Sequence, residues 1–167
     1  MEVCQNAARE FSSNCACGNV SRLLIDLNRS LSYNLFSVYS KRLSEVDRRN
    51  ILEKYYLPYR TEVESGITDK ITAGQRVVHL SIHSFTPVLH GVERSAEYGI
   101  LYDPQRAFEK TAARGLAGAI RSVSGSRVRL NYPYRGTSDG FTTSMRKKTP
   151  PDFYAGIEVE INQKLLK

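Results

Sequence analysis

The chain contains no run of about eighteen apolar residues, so no transmembrane helix is expected from it. Its first residues, Met1-Glu2-Val3-Cys4-Gln5-Asn6, have neither a basic start nor an apolar core, so they do not read as a signal peptide. Cysteine is scarce and odd in number: Cys4, Cys15 and Cys17. An odd count fits a reducing cytoplasm better than a disulfide scaffold. Cys15-Ala16-Cys17 is too tight for a usual zinc pair and no second pair follows, so the three read as unremarkable thiols. Only three histidines occur, His79, His83 and His90. On a strand, His79 and His83 would share a face but stand about 13 Å apart at ~3.3 Å per residue, too far to grip one ion together. There is no internal repeat and no low-complexity tail.

What remains is ordinary for a globular chain. At 167 residues and 41% hydrophobic, one domain over residues 1–167 with a sizeable core is the natural reading. The net charge of +7 invites a nucleic-acid reading, but the basic residues are dispersed. Only Arg146-Lys147-Lys148 forms a run, and it follows a Gly/Thr/Ser-rich segment, so it reads as a solvated loop. A basic surface also steers small anions toward a cleft. Neither a nucleic acid nor a membrane is therefore expected as a partner.

The apolar pattern divides the chain into alternating elements. A short helix is expected over 5–12 and a strand over 20–27. Residues 41–67 carry apolar positions at helical spacing, with Ser40 or Ser44 as a cap and Pro58 as a break or kink. A strand over 76–83 follows, then a short one near 99–102. Asp103-Pro104 opens a helix from about 105 to 122 with Phe108, Ala112, Leu116, Ala119 and Ile120 on one side. Residues 126–132 alternate as a strand, 133–150 form a long and potentially functional loop, and 156–162 form the last strand. Strands alternating with helices imply an α/β fold: a three-layer, mostly parallel mixed sheet with helices on both faces.

Three segments carry candidate chemistry. His79-Leu80-Ser81-Ile82-His83-Ser84-Phe85-Thr86-Pro87 reads as a buried strand that stops in polar residues. Ligands of such sheets bind beyond the strands' carboxyl ends, where His83 stands. Leu23-Leu24-Ile25-Asp26-Leu27-Asn28-Arg29-Ser30 is another apolar run with a polar end, and Arg29 supplies a planar fork suited to a carboxylate. Asp26 lies inside that run and reads as structural, held by Ser21, Arg22 or backbone N–H groups. In Gly156-Ile157-Glu158-Val159-Glu160-Ile161-Asn162 the two carboxylates share one face of a strand. A carboxylate near the end of a buried strand is a candidate metal ligand or general base. Imidazole, guanidinium and carboxylate together are what a hydrolase of acidic substrates needs.

The Ser-Ile-His-Ser-Phe, Asp-Leu-Asn-Arg and Glu-Val-Glu-Ile-Asn-Gln runs resemble the carboxypeptidase-like zinc hydrolases, and more narrowly the N-formylglutamate amidohydrolase family. Ser21 to Ser30, Leu101-Tyr102-Asp103-Pro104 and Asn131-Tyr132-Pro133-Tyr134-Arg135-Gly136 strengthen the narrower match, which covers roughly residue 5 to the end. The resemblance implies a phosphorylase/hydrolase-like, zinc carboxypeptidase-type fold. It implies a cytoplasmic Zn2+-dependent enzyme of histidine catabolism that cleaves the formyl amide of N-formylglutamate or a related small N-acyl acidic amino acid. By the same resemblance, His83 is a zinc ligand and Glu160, rather than Glu158, the general base. Asn28 and Arg29 hold the substrate's carboxylate, with Arg94, Tyr134 and Arg135 as further anion contacts. The family's upstream histidine-containing metal motif has no counterpart here, so the resemblance also implies an N-terminally truncated member with an incomplete metal site. The alternative is an inactive remnant that binds acidic small molecules without catalysis.

Overall fold

A computed structural model describes residues 2–166. Its backbone forms two compact units: residues up to Asp69 together with Asp139–Phe141, and Lys70–Ser138 together with Thr142 onward.

The first unit is helical. It holds α1 (Glu2–Glu10), α2 (Glu45–Ile51) and most of α3 (Leu57–Thr72). Ser44 caps α2 by accepting the Asp47 N–H at 3.1 Å, as its sequence position suggests. Pro58 does not break the helix. A π-turn over Leu52–Tyr56 precedes it, in which the Leu57 N–H reaches back to the Leu52 carbonyl. That wider turn makes room for the ring that would otherwise strike the preceding turn. The strand expected over 20–27 is not one. Residues 21–29 are successive turns, with Leu24 and Ile25 N–H groups both bonded to the Ser21 carbonyl. Ser21 also takes the Leu23 N–H on its hydroxyl, and such local bonds compete with a sheet ladder. Burial agrees: Ile25 is buried while Leu23 is exposed. Ile25, Leu35 and Tyr56 form the core of this unit.

The second unit is the α/β body. It contains β1 (Val77–Phe85), β2 (Val88–Leu89), β3 (Val92–Glu93), β4 (Tyr98–Leu101), α4 (Ala107–Ser124), β5 (Val128–Leu130), α5 (Phe141–Arg146, from Thr142 on) and β6 (Tyr154–Asn162). β2 and β3 make a small hairpin; the other four strands form one sheet in the order β1-β6-β4-β5. The β1–β6 and β4–β5 pairs are parallel and β4–β6 is antiparallel. The mixed, mostly parallel sheet expected from the sequence is therefore present. All nine residues of the central strand β6 are buried.

Alternation along the strands sorts the two sheet faces. Ile100, Val128, Ile157, Val159 and Ile161 lie on the face covered by α4, packed against Ala113 and Ala117 with Leu80, Ile82, Leu116 and Ile120 around them. Ala119, expected on that side, is exposed, because the packed helix stripe is centred on the two small buried alanines. Small residues let a helix approach a sheet closely. α4 ends at Gly125, whose φ of +66° is the left-handed stop that glycine adopts without strain. The 133–150 segment is not all loop, since α5 lies within it. Arg146 is no solvated residue either. Its side chain is 6% exposed and pairs with the fully buried Glu109 at 2.7 Å.

Candidate functional site

The opposite face of the sheet is polar, and it is built by the register. In the parallel β1–β6 pair, His79, Ser81, His83 and Phe85 stand beside Gly156, Glu158, Glu160 and Asn162 in that order. Cα partners on neighbouring strands project to the same side, so all eight belong to one face. Both strands run the same way, so His83 and Glu160 lie together near their carboxyl ends. The structure thus brings together His83 and Glu160, two of the residues singled out in the sequence.

Several polar groups on the face have their positions set by a neighbour. His83 Nε2 is 2.9 Å from the Ser81 hydroxyl. His79 Nδ1 is 2.9 Å from the Tyr154 hydroxyl, whose own ionisation is pushed far up by burial. The Thr142 hydroxyl of α5 donates to Glu158 Oε1 at 2.7 Å. Glu158 and Glu160 are 8% and 6% exposed, so both carboxylates are genuinely buried. Asn162 closes the strand end, donating to the Ala96 carbonyl at 2.9 Å. Opposite Glu160 on β4 stands Gly99. A Cβ there would come within 1.9 Å of the Tyr132 carbonyl and 3.3 Å of Glu160 Cβ. Only glycine lets the 131–136 loop lie this close to the sheet.

That loop brings two of the expected anion contacts together. Asn131, with φ of +49°, accepts the N–H groups of Tyr102 at 3.0 Å and Gly136 at 3.1 Å on its side-chain oxygen. The bracing holds Tyr134, whose hydroxyl accepts from Arg94 Nη1 at 3.1 Å. The Arg94 guanidinium also stacks over the Tyr134 ring at 5.1 Å and approaches the Phe85 ring at 5.7 Å. Phe85 follows His83 on the same face of β1, so the Arg94–Tyr134 pair stands at the carboxyl edge of that strand. Arg135 is exposed.

Asn28 and Arg29 belong to the helical unit, on a turn rather than at a strand end. Asn28 Oδ1 accepts the Phe141 N–H at 2.8 Å. Arg29 Nη1 donates to the Asp139 carbonyl at 2.7 Å, and its Nε lies 3.7 Å from Asp26. The Asp139 side chain in turn takes the Ser30 hydroxyl at 2.7 Å. Asp26 has the partners expected for a structural role: Arg22 at 3.0 Å and the Asn28 N–H at 3.1 Å. An open depression of about 330 Å³ in this unit is lined by Arg29, Tyr33, Asp26 and Phe36 among others.

A catalytic zinc takes three protein ligands and keeps one position open. Among the described residues, no third histidine, cysteine, aspartate or glutamate joins His83 and Glu160 in a metal-sized group. The described residues therefore do not assemble a complete zinc site there. The fold does assemble a cluster that the sequence reading set aside. The sulfurs of Cys4 and Cys15 are 2.9 Å apart, those of Cys15 and Cys17 3.6 Å. The hydrogen bond from a neighbouring thiol raises the ionisation of Cys15 and of Cys17 above the ordinary cysteine value.

Sequence reasoning also missed Ser81, Thr142 and Tyr154 as partners of the polar face. The signal was present for Ser81, a polar residue two positions before His83 in an otherwise apolar strand. For Thr142 and Tyr154 there was none, because their partners are distant in the chain.

A mixed α/β sheet with histidine and carboxylates at adjacent strand ends places the chain among α/β proteins with a polar face where ligands of such sheets bind. The chain belongs to the N-formylglutamate amidohydrolase family, whose model matches residues 2–167. A gene product of Agrobacterium tumefaciens of known crystal structure is similar at 30% identity and a TM-score of 0.67, over 87% of this chain and 59% of that one. The N-formylglutamate amidohydrolase from Ralstonia eutropha JMP134 shares the fold at a TM-score of 0.67 and 18% identity, over 86% of this chain and 62% of that one. The chain thus spans about three fifths of the length of these two solved structures. No curated protein matches its sequence significantly.

Proposed function

We propose that this chain carries the substrate-binding and proton-transfer groups of an amidohydrolase acting on N-formylglutamate or a related N-acyl acidic amino acid. The observation that supports it best is the His83–Glu160 register pair at the carboxyl ends of β1 and β6, in a chain of this family. Glu160 acts as general base and takes a proton from the water that attacks the formyl carbonyl carbon. The formyl C–N bond then breaks, releasing formate, and the amine leaves with the proton that Glu160 took from the water. Glu158 is the less suitable base, because the Thr142 hydroxyl already occupies one of its carboxylate oxygens.

Asn28 and Arg29 bind a carboxylate of the substrate. Their Oδ1 and Nη1 atoms are held by Phe141 and Asp139, which leaves Asn28 Nδ2 and Arg29 Nη2 as the donors for an anion. Arg94 with Tyr134, and the exposed Arg135, offer further positive charge and hydrogen-bond donors to the acidic side chain. His83 is the zinc ligand in this reading. Since the described residues do not complete a zinc site, what they supply themselves is the binding of the acid and the proton transfer at Glu160. The odd set of free thiols suits a cytoplasmic location.

The incomplete metal group favours a second reading, in which the chain binds acidic N-acyl amino acids without turnover. Metal content by mass spectrometry, measured beside deformylation of N-formylglutamate, separates the two. Formate release that a chelator abolishes supports the enzyme. Saturable binding of N-formylglutamate with no formate release supports the binder, and no binding at all sinks both.

A further inference from the structure

We propose that Cys4, Cys15 and Cys17 form a three-thiolate site for one thiophilic divalent cation of the zinc type, built from none of the residues assigned above to the amidohydrolase face.

The site is assembled locally. α1 ends in a left-handed stop at Ser12, with φ of +46°. The Ser13 N–H bonds back to the Ala8 carbonyl at 2.9 Å and the Ser12 N–H to the Arg9 carbonyl at 3.2 Å. This paired C-terminal motif reverses the chain. Residues 15–17 return alongside the helix, where Cys4 waits. The alternate residues Cys15 and Cys17 then put their sulfurs on the same side as the Cys4 sulfur.

The spacing suits a metal. Zinc holds thiolates at ~2.3 Å in a tetrahedron, which sets the sulfurs ~3.8 Å apart. The separations here are 2.9 and 3.6 Å, and all three sulfurs lie within 4.8 Å of one another. Small side-chain rotations reach the required distances. All three cysteines are half-buried, so an ion can enter yet loses much of its water on binding. Three soft sulfur ligands select zinc, cadmium or cobalt over magnesium and calcium. Among the described residues no histidine or carboxylate joins the group, which leaves the fourth position for water. The tight Cys-Ala-Cys spacing that argues against an ordinary zinc pair is offset by Cys4, which the helix turn supplies. A bound ion would tie α1 to the returning segment.

The test uses the reduced, metal-free full chain. Titration with Co2+ should give one equivalent per chain with a thiolate-to-cobalt charge-transfer band, which Zn2+ then displaces. In the unaltered chain, Zn2+ should protect all three cysteines from alkylation by iodoacetamide, read by mass spectrometry. Cys17→Ser should weaken the charge-transfer signal and zinc binding by at least about tenfold, while Lys147→Ala, at an exposed position, leaves both unchanged. The proposal is overturned by the absence of the charge-transfer band, or by alkylation that zinc does not slow. It is equally overturned by a band kept unchanged in Cys17→Ser, or by a Cys4–Cys15 disulfide in chain isolated without added oxidant. The alkylation experiment needs no variant, so a folding failure of Cys17→Ser leaves the outcome decided.

Discussion

His83 and Glu160 are direct register partners on adjacent parallel strands. Neighbouring strands lie about 4.8 Å apart, so an imidazole and a carboxylate placed this way share one small volume over the sheet. Glu158, two residues back and on the same face, is instead tied to Thr142 and partnered by Leu101 on the other flank.

The two carboxylates should therefore separate in function. Glu160→Gln should lower kcat for deformylation of N-formylglutamate by about a hundred- to ten-thousand-fold, the range for loss of a general base, with little change in KM. Glu158→Gln should lower stability by ~1 kcal/mol in urea unfolding and leave kcat within severalfold. Steady-state kinetics on both variants checks this; a larger kcat loss in Glu158→Gln would reverse the assignment.

Arg29 should act on affinity. Its guanidinium is held by Asp139 and approached by Asp26, and it stacks on Tyr33 at 5.2 Å. Arg29→Ala should weaken N-formylglutamate binding by about ten- to a hundredfold, the equivalent of a charge-assisted hydrogen bond. Arg29→Lys should recover only part, since an ammonium cannot replace the planar fork. Isothermal titration of both variants gives the answer, and unchanged affinity in Arg29→Ala would remove Arg29 from the site.

The strongest structural effect should come from Glu109. It is fully buried and receives the Arg146 guanidinium at 2.7 to 3.1 Å, the Asp103 N–H at 2.6 Å and the Gly156 N–H at 3.1 Å. Arg146 also donates to the Gly136 and Gly156 carbonyls. One ion pair thus ties α4, α5, the 131–136 loop and β6 together. Glu109→Ala leaves a buried guanidinium without its counter-charge and should cost about 3–5 kcal/mol. Lys147→Ala, at the exposed neighbouring position, should stay within about 0.5 kcal/mol. Urea denaturation of the two variants measures both.

Alkaline pH should destabilise the fold through Tyr154. Burial raises its phenol's ionisation in the folded state far above the ordinary value, which is about 10 in the unfolded chain. The folded state therefore binds this proton more tightly, so the contribution is fully present below pH about 10 and is lost progressively as pH rises above it. Tyr154→Phe should flatten the fall in Tm above pH 10. At neutral pH it should cost ~1 kcal/mol for the lost bond to His79. Thermal melts between pH 7 and 11 test the sign; an unchanged alkaline slope would show that the hydroxyl ionises no later in the folded state than in the unfolded chain.

Much of the α/β body was legible in the chain. The strands at 76–83, 99–102 and 156–162 and the helix after Asp103-Pro104 follow from short-range periodicity, and so does the sorting of Glu158 and Glu160 to one face. The run at 21–29 has the apolar content of a strand, while its Ser21 bonds favour turns. The spacing of Cys15-Ala16-Cys17 alone argues against a metal pair, because the third thiol reaches it only through the left-handed stop at Ser12. Arg146 reads as solvated in the sequence, because its partner Glu109 lies on a distant helix and a sequence gives no sign of such a pairing.

Periodicity is a property of neighbours in the chain, so the sequence by itself determined the class of fold, the polar face of each strand and the residue types that reach the strand ends. Strand order is a property of distant segments and of the core they share. Only the tertiary structure decided that β6 lies between β1 and β4, that His83 faces Glu160 rather than Glu158, and that the loop carbonyl of Tyr132 rests on Gly99. A shift of the β1–β6 register by one residue would have turned one of the two side chains to the α4 face, and burial of the apolar set on that face is what forbids it.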